Sequence, residues 1–504
     1  TQLNGRLQYE TTIAQNHNIG AMFVYSEEYW HTRSTGASRN DRIHPSTSEI
    51  NSALTNVQSN SGSSASEGLR SYIGRMNYSA YDKYLLEFSF RVDGSSKFIK
   101  GHQYGFFPTV AVGWRFTEEE FLKKYLSSWL SSGKLRASWG KLGDNSGVGR
   151  FEQLETLTAM NYMSSDVVKG FVNKKMINKD LSWEVSTDIN VGLDLGFLNN
   201  RLRTEIDFYN RLRTGMNRPS QMSIHLTGAY SAPRANIGDL LNRGLELNLT
   251  WKDKIGNVEY SVNLNGAYNR TVLKEWNEFL SRGWVYLDMP YHFLYVYENN
   301  GIAQTWQDIY NNTPQGLSPG DVIRKDLNGD GIIDGKDKKA YPNIQRDRPT
   351  TTYGITLQAA WKGFDISMLF NGGLGRKDFW LTDFNNTAFA DRRYASTWDH
   401  WTEPWSLENR GGEWPRLGTS TDRSDNSYWL YNMNYLRMKN IMLGYNLPKK
   451  LLSKISMTNL RIYASAENLF TVTQYPGLDP EKKNSARDLY PINRSFSIGL
   501  NVSF

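Results

Sequence analysis

Along much of the chain an apolar side chain falls on every second residue. Val185, Thr187, Ile189, Val191, Leu193, Leu195 and Phe197 alternate with Ser186, Asp188, Asn190, Gly192, Asp194 and Gly196. Leu245, Leu247, Leu249 and Trp251 alternate with Glu246, Asn248 and Thr250, and Val258, Tyr260, Val262, Leu264 and Tyr268 with Glu259, Ser261, Asn263 and Asn265. The last ten residues, from Ser495 to Phe504, keep the same beat and stop on an aromatic. Period two marks strands with unlike faces. Asp and Glu on the polar face argue against a dry sandwich core, where unpaired charge is costly. They suit a wide barrel with a wet lumen and hydrocarbon outside. The expected fold class is all-β, a transmembrane antiparallel up-and-down β-barrel; a large soluble all-β protein is the alternative.

The pattern predicts about fifteen strands, over 5–13, 18–29, 68–80, 83–93, 106–116, 133–142, 183–197, 202–213, 241–251, 258–270, 351–361, 364–371, 435–447, 459–470 and 494–504. Their connections alternate short and long. Short ones include Tyr81-Asp82, Asn199-Asn200 and Lys362-Gly363; long ones cover 30–67, 143–181, 214–240, 271–350, 372–434 and 471–493. Tight periplasmic turns and long extracellular loops are the asymmetry of outer-membrane barrels. Two connections on the short side are longer. Residues 117–131 predict a short helix, with acids at its start and Phe121, Leu122, Tyr125 and Trp129 on one face, and 448–457 a further helical turn.

If Phe504 marks the periplasmic end of the last strand, the strands running the same way end in Trp114, Phe197, Trp251, Trp361, Tyr445 and Phe504. These six form a predicted membrane girdle. An odd strand count is at variance with the even numbers of single-chain bacterial barrels. The expectation is therefore that residues 1–504 are the C-terminal portion of one barrel, whose first part is absent.

Composition supports this picture. Aromatics make up 13% of the 504 residues, with 29 Tyr and 16 Trp, against a mean hydropathy of −0.58. A polar chain rich in Tyr and Trp fits interfacial girdles and long wet loops. No cysteine is present, which removes disulfides and thiolate metal sites. The net charge of +7 is spread among acids and bases, so no nucleic-acid footprint is expected. No apolar run reaches the length of a transmembrane helix. There is neither a signal peptide nor an initiator Met, so an exported protein would have lost a signal or a larger piece.

Specific residues then become recognisable. The stretch from Trp183-Glu184-Val185 through Asn190-Val191-Gly192-Leu193-Asp194 and Phe197-Leu198-Asn199-Asn200-Arg201 to Asp207-Phe208-Tyr209 resembles the SusC/RagA-like branch of TonB-dependent outer-membrane transporters. So do Arg136-Ala137-Ser138-Trp139-Gly140, Asp326-Leu327-Asn328-Gly329-Asp330-Gly331, Lys362-Gly363-Phe364-Asp365, Ala466-Glu467-Asn468-Leu469-Phe470 and Gly477-Leu478-Asp479-Pro480-Glu481. The resemblance implies a 22-stranded barrel with a plugged lumen, of which this chain supplies about 15 strands, with the plug domain and the first strands absent. It implies TonB-driven import of oligosaccharide or peptide nutrients in the outer membrane of a Gram-negative bacterium, with a SusD-like surface lipoprotein as a lid. TonB would act through the missing N-terminal part.

Candidate chemistry is confined to the loops. Asp326, Asn328, Asp330, Ile332, Asp334 and Asp337 stand at positions 1, 3, 5, 7, 9 and 12 of a calcium-loop spacing, with Gly331 at 6. A structural Ca²⁺ bracing the 271–350 loop is one reading. An Asp/Asn/Gly turn without metal is the other, and Asp337 in place of Glu is a departure from the pattern. Trp284, Tyr291, Tyr295 and Trp306 in one loop, and Trp398, Trp401 and Trp405 in the 372–434 loop, could stack on sugars or receive peptide side chains. They could equally pack the loops or meet the lid. Arg346-Asp347-Arg348 and Asp391-Arg392-Arg393 are candidates for lipopolysaccharide phosphates, or solvated loop. The seven histidines show no zinc-helix spacing and no nucleophile elbow occurs, so no enzyme is expected. The alternative function is a surface glycan-binding or adhesion barrel without transport.

Overall fold

The computed structural model describes every residue except 41–43, 45, 54–57, 127–128, 164–166, 174, 228–230, 279–285, 292, 380–402, 417–425, 453–456, 483–490 and 504. Fifteen strands form one sheet: β1 (Gln2–Ile13), β2 (His17–Arg39), β3 (Gln58–Ala80), β4 (Tyr84–Ser95), β5 (Tyr104–Trp114), β6 (Leu130–Asp144), β7 (Glu184–Phe197), β8 (Leu202–Thr214), β9 (Asp239–Ile255), β10 (Val258–Glu275), β11 (Thr351–Trp361), β12 (Phe364–Leu374), β13 (Tyr435–Asn446), β14 (Asn459–Thr473) and β15 (Ser495–Ser503). Each pairs antiparallel with its neighbours in chain order, with β1 and β15 at the two edges.

The short connections are tight for a physical reason. Lys362 and Gly363 both take positive φ, as do Tyr81 with Asp82 and Leu198 with Asn199 and Asn200. Turns of that hand match the twist of the strands they join. All the long connections leave the opposite rim.

The sheet has two faces of different chemistry. Register pairs Ile206 with Leu193, Phe208 with Val191 and Leu245 with Tyr268 on one face, and Asp207 with Gly192, Arg211 with Asp188 and Asn248 with Asn265 on the other. Along these strands no second protein layer covers the apolar face among the described residues: Ile189, Val191, Phe208, Leu245 and Tyr268 are all exposed, and on β15 Ile498 is 85% exposed. On both faces rings lie flat against glycines of the next strand. A Cβ on Gly74 would meet the Phe90 ring at 2.3 Å, and one on Gly499 the Tyr463 ring at 2.3 Å.

Two strands run further than the sequence predicts. β2 and β3 pair from His17↔Ala80 to Arg39↔Gln58, whereas β1 leaves β2 at Glu28 and β4 leaves β3 at Leu69. Residues 29–39 and 58–68 therefore rise as a two-stranded ribbon, about 35 Å long at the usual rise per residue. The ribbon is Ser-, Thr- and Gly-rich and wet on both sides, so it carries no alternation to read. Its base is braced by Arg150, which pairs with Glu67 at 3.3 Å and donates to the Thr32 hydroxyl at 3.1 Å.

The buried cores lie at the long-loop rim. One gathers Phe98, Phe107, Val148, Leu181 and Trp183. The other joins three loops through Leu294, Val296, Phe379, Trp429, Met433 and Tyr475.

Candidate functional site

Two regions carry clustered chemistry, the polar face of the wall and the cap of loops above it. On the wall, Arg136 of β6 donates to Asp194 of β7 at 2.7 Å and to Asp207 of β8 at 2.9 Å. Arg211 reaches Asp188 at 2.6 Å, and Arg213 holds Glu184 and Asp144. Arg75 holds Glu87 at 2.6 Å. The pairs sit across neighbouring strands because period two puts all these residues on one face. Arg75, Glu87, Asp144, Arg211 and Arg213 are more than a third exposed and Arg136 and Asp194 only a little less, so water solvates these pairs and each contributes little to stability; Glu184 alone is almost buried. They line a concave trough that includes a cavity of about 890 Å³ bordered by Arg75, Glu87, Lys134 and Arg136.

The cap is held by buried arginines. Arg376, just past β12, is almost fully enclosed. It donates to the carbonyls of Arg346, Pro480, Glu481 and Lys482 at 3.0–3.1 Å. Arg437 of β13, also buried, bonds Asp479 at 2.8 Å and lies 3.1 Å from Glu481. Arg416 clamps Asp321 through two bonds, at 2.8 and 3.2 Å. Arg376 and Arg416 link segments about a hundred positions apart, and Arg437 segments 42 apart. Sequence reading missed Arg376 and Arg437 as fasteners. The available signal was Asp479 and Glu481 within the Gly477–Glu481 motif, two acids that need cationic partners if buried.

The predicted loop aromatics divide. Trp405 is buried and donates from Nε1 to Gln304 at 2.9 Å. Tyr295 donates to the Gly335 carbonyl at 3.0 Å and meets Tyr286 edge-on at 6.1 Å; burial raises its phenol pKa. Tyr291 lies beneath the Arg218 guanidinium at 5.8 Å. Trp405 and Tyr291 thus pack loop against loop and Tyr295 packs within the 271–350 loop, while Trp306 is exposed at the start of a short capped helix, Trp306–Tyr310. Trp284, Trp398 and Trp401 lie outside the described residues. The structure instead assembles an open cleft of about 430 Å³ from Ile302, Gln304, Glu413, Trp414, Tyr428 and Tyr431. Burial pushes the Tyr431 phenol up to about 12.

In the acidic loop, Asp326 accepts from the amides of Gly329 and Gly331 at 2.7 and 2.9 Å. Asn328 accepts from the Asp330 amide, Asp330 from that of Ile332, and Asp334 from that of Lys336. Asp337, at the position of a bidentate ligand, is 0% exposed and bonds the amides of Leu327 and Asp334 at 2.9 Å each. Donation from the Asp334 amide, then from those of Leu327 and Asn328, holds its carboxyl below the usual Asp range. Among the described residues no three His, Asp or Glu side chains are gathered as a metal cluster.

The predicted girdle falls into register rows. Phe197, Leu202 and Trp251 share one, and Trp361, Phe364, Tyr445, Ile462 and Leu500 another. Trp114 is stepped, its row meeting β7 at Leu193 through Leu135. Such offsets are what strand tilt requires in a barrel. Phe504 lies outside the described residues.

A single antiparallel meander with a bare apolar outside, a charged inside and all long loops at one rim defines the wall of an outer-membrane-type β-barrel. Residues 1–314 match the family described as TonB dependent receptor-like, beta-barrel, and the chain belongs to that family. It is 30% identical to TonB-dependent receptor P3 of Formosa agariphila over 86% of this chain and 45% of the relative. It is also 30% identical to TonB-dependent receptor SusC of Bacteroides thetaiotaomicron, over 86% of this chain and 44% of the relative. The structure of the RagAB peptide transporter superposes on 100% of this chain and 55% of that one, with a TM-score of 0.83 at 23% identity, a likeness of fold. The chain spans about half the length of the curated relatives it matches. The relatives are receptors and transporters, not enzymes.

Proposed function

We propose that this chain forms part of the wall and outer cap of an importer in the outer membrane of a Gram-negative bacterium. It takes up oligosaccharide or peptide nutrients with energy from TonB and beneath a SusD-like lipoprotein. One observation carries this: a bare apolar stripe runs along the outside of strands whose inside is charged and hydrated. That division supports lipid on one side and a polar passage on the other. The cap lies at the rim where the family's long loops face the exterior, and its fastened loops support a lid. Deleting the gene and measuring uptake across a panel of glycans and peptides tests the reading. Loss of uptake of one class is expected; unchanged uptake across the whole panel would overturn it.

The open cleft at Trp414, Tyr428 and Tyr431 favours a second reading, a surface glycan-binding barrel without transport. Binding of labelled glycan by cells without its accumulation in the periplasm would mark that case. Calcium in the acidic loop is a further proposal, supported by ligand spacing. Asp326, Asn328, Asp330, Asp334, Asp337 and the Ile332 carbonyl would hold the ion, the side chains giving up amide hydrogen bonds they now accept. Titration of the protein with Ca²⁺ by calorimetry is expected to show one site that Asp326→Ala abolishes. Arg346 and Arg348 remain candidates for lipopolysaccharide phosphates, although Arg346 already pairs with Asp378 at 2.8 Å.

A further inference from the structure

The connection between β5 and β6 does not hang below the sheet. It folds up against the outside. Tyr84 and Trp114 are register partners on the apolar face, and both donate to the carboxylate of Glu119, Trp114 from Nε1 at 3.2 Å. Lys83 adds a third contact at 3.3 Å. The Phe116 ring covers Gly133, whose register partner Leu195 is on the same outer face; a Cβ on Gly133 would meet that ring at 2.3 Å. The buried Thr117 hydroxyl accepts from the Gly133 amide at 2.9 Å. Four residues thus pin this segment to the side of the wall that carries the apolar stripe.

What the segment presents outward is apolar. A short helix, α1 (Glu120–Leu126), follows the pinned turn. Phe121 and Tyr125 lie one turn apart and are 64% and 75% exposed, and Trp129 continues the line at 50%. Trp129 stacks on the girdle residue Phe197 at 5.8 Å and 21°. The polar ends of Tyr84 and Trp114 are consumed by Glu119, so the surface beside the helix is left without unmet donors. There a groove of about 370 Å³ opens, lined by Tyr78, Tyr84, Leu86, Val112, Trp114 and Leu135. Every one of these side chains belongs to the outer face by register. Lys123 and Lys124 are exposed on the helix; Lys123 lies 3.7 Å from the exposed Glu118, a solvated pair that a phosphate can displace.

We propose that residues 116–126, together with Trp129 and this groove, seat a glycerophospholipid at the periplasmic boundary of the bilayer. One acyl chain lies in the groove, and the phosphate lies at the helix, where Lys123 and Lys124 supply positive charge. The occupant is lipid rather than protein because the groove continues the wall's apolar stripe without a break. Aromatic side chains at that level belong where hydrocarbon meets headgroups. The inference rests on the outer-membrane reading of the wall.

The test uses the full-length protein in phosphatidylethanolamine–phosphatidylglycerol nanodiscs, with a nitroxide on Tyr125→Cys, Val191→Cys or Asn190→Cys. Accessibility to oxygen against a water-soluble nickel chelate is read by electron paramagnetic resonance. The Tyr125 label is expected to be several-fold less accessible to nickel than the Asn190 label, as the Val191 label is. A Tyr125 label as open to nickel as Asn190, beside a protected Val191 label, overturns the lipid seat and leaves the barrel intact. A Val191 label open to nickel overturns the barrel reading and the seat with it. Native mass spectrometry checks the groove: one phospholipid is expected on the unaltered protein and none on Val112→Trp. Equal retention by both overturns the groove.

Discussion

Arginine is the fastener in both the cap and the wall, yet the two uses differ. Arg437 and Asp479 are within a few per cent of full burial at 2.8 Å, whereas Arg136 and Asp194, at 2.7 Å, each keep about a third of their surface in water. Distance therefore does not separate them; the surroundings do. A buried charge that loses its partner stays desolvated and uncompensated, while a wetted one is taken up by solvent. The cap is fastened like a globular interior, and the wall keeps its charges open to water.

Mutation sharpens that contrast. Asp479→Ala removes the most deeply buried partner of Arg437 and leaves Glu481 at 3.1 Å as its remaining counter-charge; it is expected to destabilise the cap by about 3 kcal/mol, read as faster hydrogen exchange and proteolysis of the outer loops with the sheet unchanged. Next in size, the two faces of one strand can be set against each other. Val191→Arg on the outer face is expected to cost about 2–4 kcal/mol at bilayer depth, seen as lower heat resistance of the folded band on gels. Asn190→Arg, one residue away and facing inward, is expected to leave that band unchanged. Arg136→Ala on the wall is expected to cost no more than about 1 kcal/mol. An effect there as large as that of Asp479→Ala would erase the distinction.

The smallest effect is a pH dependence in the acidic loop. The Asp337 carboxyl is held below its ordinary value by amide donors, so its contribution is fully present above the unfolded value of about 3.9. That contribution is lost as pH falls through the lower folded value. Exchange protection of the Leu327 and Asp334 amides is thus expected to be flat from pH 8 to 5 and to fail only below about pH 4.

The wall was legible in the sequence because each strand records its two solvents in alternate residues. All fifteen strands and the side of every long loop follow from that one signal. The ribbon above β2 and β3 was cut short because water on both faces removes the alternation. The cap could not be read, since Arg376 meets carbonyls and Leu294 meets Trp429 only after distant loops converge. The helix at 120–126 was legible, but its placement on the outside depended on Glu119 finding Tyr84 and Trp114. In the acidic loop the spacing was plain, whereas the use of Asp337 as an amide cap was not.

The clasp at Arg376 also sets an order of events. It joins positions 104 to 106 apart in the chain, and closing so long a span is entropically unfavourable until other pairings have shortened it. β13 and β14 lie between its two sides and must dock first. The outer loops are therefore expected to lock last, on strands already zipped together beneath them.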